Sequence, residues 1–470
     1  MLIRNAETRP GAIADVRIAG ARVAAVAENL PAQPDEIVLD AGGAALVPGL
    51  HDHHIHLLAL AASLESLRCG PPEVSTQEHF EQLLRERVAL SAGSDREWIR
   101  VIGYHESVAG DIDRRWLDRV APETPVRVQH RSGRLWIINS CGLERLAKDA
   151  DRSDMTPLQD PAVLATGRLY DADQWLRQRL GGQPPALHRV SALLASFGLT
   201  GVTDASARNS QGEYRHFVDC AARGELLQRL IVMGDAGLDE VADVGAVRRG
   251  PTKIYLRESA LPAVEDLCAS IARSHETGRP VAVHCVTEAE AVFAIAALAM
   301  VGSQPGDRIE HASVAPPDVL SLLAEHGLTV VTQPNFVRER GDAYLADVPA
   351  RDQPWLYRGR GFLAAGVALA AGADAPLGDP NPWLAMQAAV DRRTMSGRTL
   401  GEAEALSPEE ALALFGGDPL APGGAPMRIA PGSPADLCLL DRPWSAARLD
   451  LAATRVNATV QGGRLVWRRA

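Results

Sequence analysis

The chain has 470 residues, 46% of them apolar and 23% charged, and its 48 Lys plus Arg against 59 Asp plus Glu give a formal charge of −11. This composition supplies a sizeable core and excludes wholesale disorder and the fibrous classes, while an acidic balance without a basic block argues against a nucleic-acid partner. The longest apolar run, residues 291–302, is too short for the roughly 20-residue helix that spans a bilayer, and the first residues lack the flank, apolar stretch and cleavage site of a secretory signal. A cytoplasmic protein with no membrane anchor is expected. Cys69, Cys141, Cys220, Cys268, Cys285 and Cys438 form no CxxC pair, so they read as reduced, mostly structural thiols.

In chain order, residues 14–19, 22–26 and 36–40 are short β-branched segments punctuated by Gly and Pro, the pattern of small antiparallel strands. The last forty residues return to that style at 434–441, 458–461 and 464–467. Each stretch is too short to bury a core alone. One composite β-sandwich built from residues 1–50 and 421–470 is therefore expected. Between them, apolar strands alternate with helical stretches, as in repeated βα units around a parallel sheet. The candidate strands are 45–50, 201–204, 230–233, 252–256, 280–284, 308–311, 329–332 and 367–371, with helices such as 263–276 and 288–300 in the gaps. Eight strands favour a closed (β/α)8 TIM-like barrel over residues 51–420, an α/β fold. The interval 68–195 is too long for a crossover and reads as an insertion with its own structure, carrying Tyr104, His105, Arg131 and Arg134. Residues 416–434, rich in Gly and Pro, read as the linker out of the barrel.

The chemistry concentrates in Leu46-Val47-Pro48-Gly49-Leu50-His51-Asp52-His53-His54-Ile55-His56. Strand side chains alternate with period two, so His54 and His56 share a face with Asp52, and two neutral imidazoles there can bind one metal ion. An isolated HxH reads equally well as two partly exposed histidines. Its place after Pro-Gly at the end of an apolar strand tips the balance. Lys253, His284, His311 and Asp374 also fall at the carboxyl ends of candidate strands, the active-site end of such a barrel. Singly, a buried His can be a core residue, an Asp a helix cap and a Lys a snorkelling side chain. Together, six metal-competent groups converge on one mouth.

The stretch Pro48-Gly49-Leu50-His51-Asp52-His53-His54-Ile55-His56 resembles the signature of the amidohydrolase superfamily, Pro-Gly-x-x-Asp-x-His-x-His. The resemblance is strongest to the family-3 amidohydrolases, which carry a long insertion after the first barrel strand and act on N-acyl or formamide bonds. It extends to Ser407-Pro408-Glu409-Glu410-Ala411-Leu412 and to Gly432-Ser433-Pro434-Ala435-Asp436-Leu437. It implies a divalent metal centre, one or two ions per chain, in which His54, His56 and Asp374 hold one and His284 and His311 a second. Lys253, carboxylated by CO2, would bridge them: a lysine desolvated there loses its proton, and the neutral amine can react with CO2. The ions lower the pKa of a shared water, so that hydroxide attacks a C–N amide-type bond. Asp374 takes the proton and returns it to the leaving nitrogen. Zinc is the first expectation, although imidazole and carboxylate ligands also suit manganese, iron or nickel. A small-molecule substrate and a homo-oligomer are likewise implied.

Two other readings stand beside this one. A mononuclear deaminase of the same superfamily places a Glu three positions after the strand-5 histidine, whereas here Glu288 is four positions after His284 and reads as a first-turn acid of the next helix. A barrel that has lost catalysis and only binds ligands would not need all six groups. The chain also departs from its relatives in two places. Arg257-Glu258-Ser259 leads straight into a helix after Lys253, with 31 positions from Lys253 to His284, so the pocket is built differently. In Ser132-Gly133-Arg134-Leu135-Trp136-Ile137-Ile138-Asn139-Ser140, Arg134 replaces a neutral donor. An arginine can clamp a carboxylate bidentately, so an acidic substrate read by Arg134, with Arg131 or Arg338, is one expectation. A solvated Arg134 is the other. Tyr104 and His105 fall where relatives place an aromatic group that reaches the metal mouth; packing of the insertion is the equal alternative.

Overall fold

The computed structural model describes residues 1–71, 73–90, 98–148, 156–180 and 184–470, and the chain divides into two compact units, Met1–Ala59 with Ala186–Ala470, and Leu60–Pro185. In the first unit a parallel eight-stranded sheet runs through β1 (Leu50–Ile55), β2 (Leu199–Asp204), β3 (Arg229–Gly234), β4 (Val247–Tyr255), β5 (Val281–Cys285), β6 (Arg308–His311), β7 (Thr329–Thr332) and β8 (Leu369–Ala371) in sequence order. Segments such as Val281-Ala282-Val283 are apolar without alternation because parallel strands of this kind are covered on both faces. Beyond the strand ends the ring is drawn together by backbone hydrogen bonds, Asp374 N to His54 O at 2.8 Å and His56 N to Ala375 O at 2.9 Å. The fold is the (β/α)8 barrel that the strand count implies.

The first barrel strand differs from the one expected at 45–50. Leu46–Pro48 pairs instead with Leu437–Leu440, and the barrel strand starts at Leu50. Proline offers no N–H to a ladder. At Gly49 a Cβ would lie 2.3 Å from Thr200 Oγ1, so only glycine lets the chain cross from one sheet to the other there. The shift moves His51 to Ile55 into the strand itself.

Strands Leu2–Arg9, Ala12–Ala19, Arg22–Ala27 and Val38–Asp40 form one four-stranded sheet. Leu46–Pro48, Leu437–Leu440, Val456–Gln461 and Arg464–Arg468 form another. Ile3, Val16, Leu437 and Val460 are each at most 1% exposed in a single core shared by the two sheets, and burying each side chain contributes about 1.5–3 kcal/mol. Neither terminal stretch could bury these residues alone.

The unit Leu60–Pro185 holds a five-stranded sheet whose spatial order is Arg168–Tyr170, Leu135–Ile138, Val126–His130, Ile99–Tyr104 and Leu67–Arg68. Phe80 stacks on Trp116 with centroids 4.9 Å apart, and Val101 and Val128 are fully buried beside them. Asn139, also fully buried, ties this sheet to its loops. Its Oδ1 accepts from Val126 N (2.9 Å) and Gly142 N (3.0 Å), and its Nδ2 donates to the carbonyls of Ala121 and Thr124 (both 2.8 Å). Asn139→Ala strands four backbone groups and is expected to destabilise this unit by at least about 2 kcal/mol, since each unsatisfied buried group costs about 1–3 kcal/mol. Thermal melting and the onset of proteolysis within 60–185 check this; a variant as stable as the parent would contradict it.

Candidate metal centre

The carboxyl ends of the barrel strands gather the six groups singled out in the sequence. The ligating atoms of His54, His311 and Asp374 lie within 4.8 Å of one another, all buried. His56 Nε2 is 3.2 Å from Asp374 Oδ1, and His54 Nε2 is 3.5 Å from the same oxygen. His284 joins through its ring, 4.5 Å from that of His311 between centroids, and His311 in turn lies 4.7 Å from His54. Lys253, two residues inside the end of β4, is 7% exposed, and its Nζ has no hydrogen-bond partner among the described residues. Its charge is felt by His54, His56, His284, His311 and Asp374. The tightest set, His54 with His311 and Asp374, crosses the division into two sites that the resemblance implied.

Burial dominates the electrostatics. It pushes His284 down to about 2 and His311 to about 3, helped by the facing histidines and Lys253, so both imidazoles are neutral and free to donate a lone pair. It also lowers Lys253 to about 8, which leaves part of the amine unprotonated near neutrality. Asp374 is buried too, but His56, with Nε2 3.2 Å from Oδ1, and the charges of His54 and His311 overcome that cost and hold its carboxyl below the usual range. At His56 burial works against the charged form, and Asp374 outweighs it, so the imidazole is raised. An unpartnered buried amine beside the neutral imidazoles of His284 and His311 and an ionised carboxylate is a poor arrangement without a ligand. It suits a divalent cation, whose charge the donors could share.

Several supporting residues carried no role in the sequence reading. Glu310 bonds His54 Nδ1 through one carboxylate oxygen and accepts from Arg308 Nε at 2.5 Å through the other. Gln333 Oε1 lies 2.7 Å from His311 Nδ1, and Ser206 Oγ 2.9 Å from His56 Nδ1. Asp52 accepts from the backbone N–H groups of His54 (2.9 Å) and Ala373 (3.2 Å), while burial raises it to about 7. Arg308 and Glu310 are two apart, so strand parity could have paired them. Parity fails at His311: its φ is +71°, and Asp374 has φ +53°, left-handed conformations that cost energy outside glycine. That turn lets adjacent Glu310 and His311 both contact His54. Of the other imidazoles in the run, His51 Nε2 lies 2.8 Å from Thr203 Oγ1, and His53, its ring 4.6 Å from that of His51, has no hydrogen-bond partner among the described residues.

The remaining candidates resolve differently. Arg134 is exposed and paired with Asp171 at 2.9 and 2.6 Å, as the solvated alternative expects. Tyr104 is 1% exposed, packs on Phe80 and donates its hydroxyl to Gly110 O at 2.5 Å, so it serves the core of the second unit. His105 caps the short helix Glu106–Ala109, with Nδ1 3.2 Å from Ser107 N. Arg131 is exposed. Arg338 lies half-buried in α3, counting α1 (Val264–Glu276), α2 (Glu288–Val301) and α3 (Asn335–Asp347), and its carbonyl accepts from Met395 N at 2.9 Å. Glu288 is an exposed first-turn acid of α2, the helix role expected of it. A cavity of about 770 Å³ opens at the amino-terminal end of the barrel, by Gly250, Pro280, Gly306 and Thr329. Size alone does not mark the chemistry, which needs the ionisable groups at the other end.

A parallel eight-stranded barrel with imidazoles, a lysine and a carboxylate at its carboxyl end defines a metal-dependent hydrolase. The chain belongs to the amidohydrolase family, whose profile, described as "Amidohydrolase family", matches residues 37–467. It is 26% identical to the N-substituted formamide deformylase of Arthrobacter pascens over 529 aligned positions, covering 99% of this chain and 97% of that one. Its fold is similar to that of a metal-dependent hydrolase from Pyrococcus horikoshii OT3, with a TM-score of 0.74, 19% identity and 94% and 97% of the two chains covered. It is also similar to N-isopropylammelide isopropylaminohydrolase from Burkholderia multivorans ATCC 17616, with a TM-score of 0.53, 16% identity and 99% and 98% covered. Among the described residues no helix is long and apolar enough to cross a membrane.

Proposed function

We propose that the protein hydrolyses an amide-type C–N bond of a small molecule, an N-formyl or other N-acyl group, at a divalent centre held by His54, His56, Lys253, His284, His311 and Asp374. The observation that carries this reading is the compact His54–His311–Asp374 group beside the unpartnered amine of Lys253. Likeness to a formamide deformylase across nearly the whole chain supports the substrate class.

When bound, a divalent cation lowers the pKa of water and polarises the scissile carbonyl. The chain does the rest. Asp374, ionised and buried, accepts the proton of the attacking water as its oxygen adds to the carbonyl carbon. The C–N bond then breaks, Asp374 returns that proton to the nitrogen, and the products are a carboxylic acid and an amine. His54 is held in one orientation by Glu310, His311 by Gln333 and His56 by Ser206, so the donors are aimed before substrate arrives. Lys253 Nζ, part neutral, would add to the carbon of CO2 and lose a proton, and the resulting carbamate would supply an oxygen ligand to the centre.

The test is metal analysis of metal-replete protein together with a screen of N-formyl, N-acyl and cyclic amides. About two ions per chain and amide hydrolysis that chelation abolishes and metal restores are expected. Two ions with no turnover of any amide would sink the reading. About one ion with ammonia released from aromatic amines would favour the deaminase.

A further inference from the structure

The loop after β4 carries a stack of aromatic and cationic groups. Tyr255 is the register partner of His284 across the β4–β5 ladder. It is 52% exposed, yet its ring lies against that of His284 with centroids 4.2 Å apart and an interplanar angle of 31°. Over Tyr255 in turn sits Arg257, its Cζ 5.3 Å from the ring centroid. A continuous series of contacts therefore runs from the donor group outward: His54, His311, His284, Tyr255, Arg257.

Arg257 is exposed and makes no ion pair among the described residues, the adjacent Glu258 included. A guanidinium held over an aromatic ring, as Arg257 Cζ is at 5.3 Å from the Tyr255 centroid, can still present N–H groups to a carboxylate, which arginine binds through two parallel hydrogen bonds. The support beneath it is rigid. Glu290, 3% exposed, accepts from Glu258 N (2.8 Å), Val286 N (2.7 Å) and Thr287 N (3.1 Å), so one carboxylate fixes the loop carrying Arg257 to the loop that follows His284. Only Leu256 separates Tyr255 from Arg257, and it is buried at 1%, which anchors the turn. An exposed cation without an ion pair among the described residues, on a tied loop one ring away from a candidate metal donor, is placed to meet substrate rather than to hold the fold.

We propose that Arg257, seated on Tyr255, is the specificity-determining residue for a carboxylate on the substrate, so that the amides hydrolysed are those of N-acyl amino acids or similar acids. The inference rests on the hydrolase reading for its reaction but on Arg257 for its selectivity. The carboxylate lies on the Tyr255 side of the mouth while the scissile bond lies at the His54–His311–Asp374 group. The acid-reading role expected of Arg134 passes to a residue within the barrel unit.

The experiment measures binding rather than turnover. Ketomethylene isosteres of N-acetylglycine, N-acetylalanine and N-acetylphenylalanine, each as free acid and as primary carboxamide, are titrated calorimetrically into metal-loaded protein. In the parent protein at least one acid is expected to bind on the order of 10- to 100-fold more tightly than its carboxamide, the range for a charge-assisted hydrogen bond. Arg257→Met should bring that ratio to about 2 or less, and Arg257→Lys, a point charge without the fork, should leave an intermediate preference. No acid preference anywhere in the series, or one undiminished in Arg257→Met, overturns the proposal. An Arg257-dependent preference in a protein that turns over no amide would support this inference and refute the hydrolytic reading, so the two failures are distinguishable.

Discussion

Lys253→Met is expected to lower amide hydrolysis by at least about 10³-fold, the scale on which removing one member of a catalytic unit acts. Methionine keeps the volume of the side chain and removes the amine, so packing changes little. The lysine makes no hydrogen bond among the described residues and its burial opposes its charge, which gives it no evident structural duty. The melting temperature of the metal-free variant should accordingly match or exceed that of the parent. Metal content should fall with activity. The carbamate role is read separately: parent protein stripped of metal and CO2, then reloaded with and without bicarbonate, should recover activity only in its presence, and Lys253→Met should respond to neither. Equal turnover by variant and parent would remove Lys253 from the chemistry.

The cluster of candidate donors was legible from the chain because each lies at or near the end of an apolar strand, and a parallel barrel delivers strand ends to one rim. His54 and His56 follow from alternation, and His284 and Asp374 from strand position alone. What could not be read was how those donors are held. Glu310, Gln333 and Ser206 sit on three different elements, and their contacts with His54, His311 and His56 depend on barrel curvature and on left-handed turns at His311 and Asp374 that no periodicity encodes. The first strand was placed one segment early because an apolar run such as Ala45 to Leu50 looks alike whether it serves the sandwich or the barrel; Gly49, pressed on Thr200, decides it. Within the insertion, the Trp136-x-x-Asn139-Ser140 element served only to place Arg134 before it, and no role was expected of Asn139. Asn139 satisfies four backbone groups, a use of a polar side chain that sequence alone does not distinguish from ligand binding.

Arg308→Met should be among the most destabilising single changes in the barrel, costing about 3–5 kcal/mol, because it leaves the Glu310 carboxylate buried without its cation. Burial opposes ionisation of Glu310, and the charge of Arg308 is the largest factor that reverses this and holds the carboxyl low. Arg308 also donates to His53 O at 3.0 Å, so the same change frees a carbonyl in β1. The double variant Arg308→Met/Glu310→Leu removes both charges, and replacement of a buried pair by apolar groups of similar volume is often near neutral. Most of the lost thermal stability should therefore return. Metal affinity should not. Without Glu310 to accept from Nδ1–H, nothing selects the tautomer of His54 that presents the Nε2 lone pair toward Asp374, and affinity should drop by about 10- to 100-fold. Thermal melts of the metal-free proteins beside metal titrations separate the two effects. A double variant with parental metal affinity would show that Glu310 does not orient His54, and a single variant as stable as the parent would show that Arg308 is not what makes the buried carboxylate tolerable.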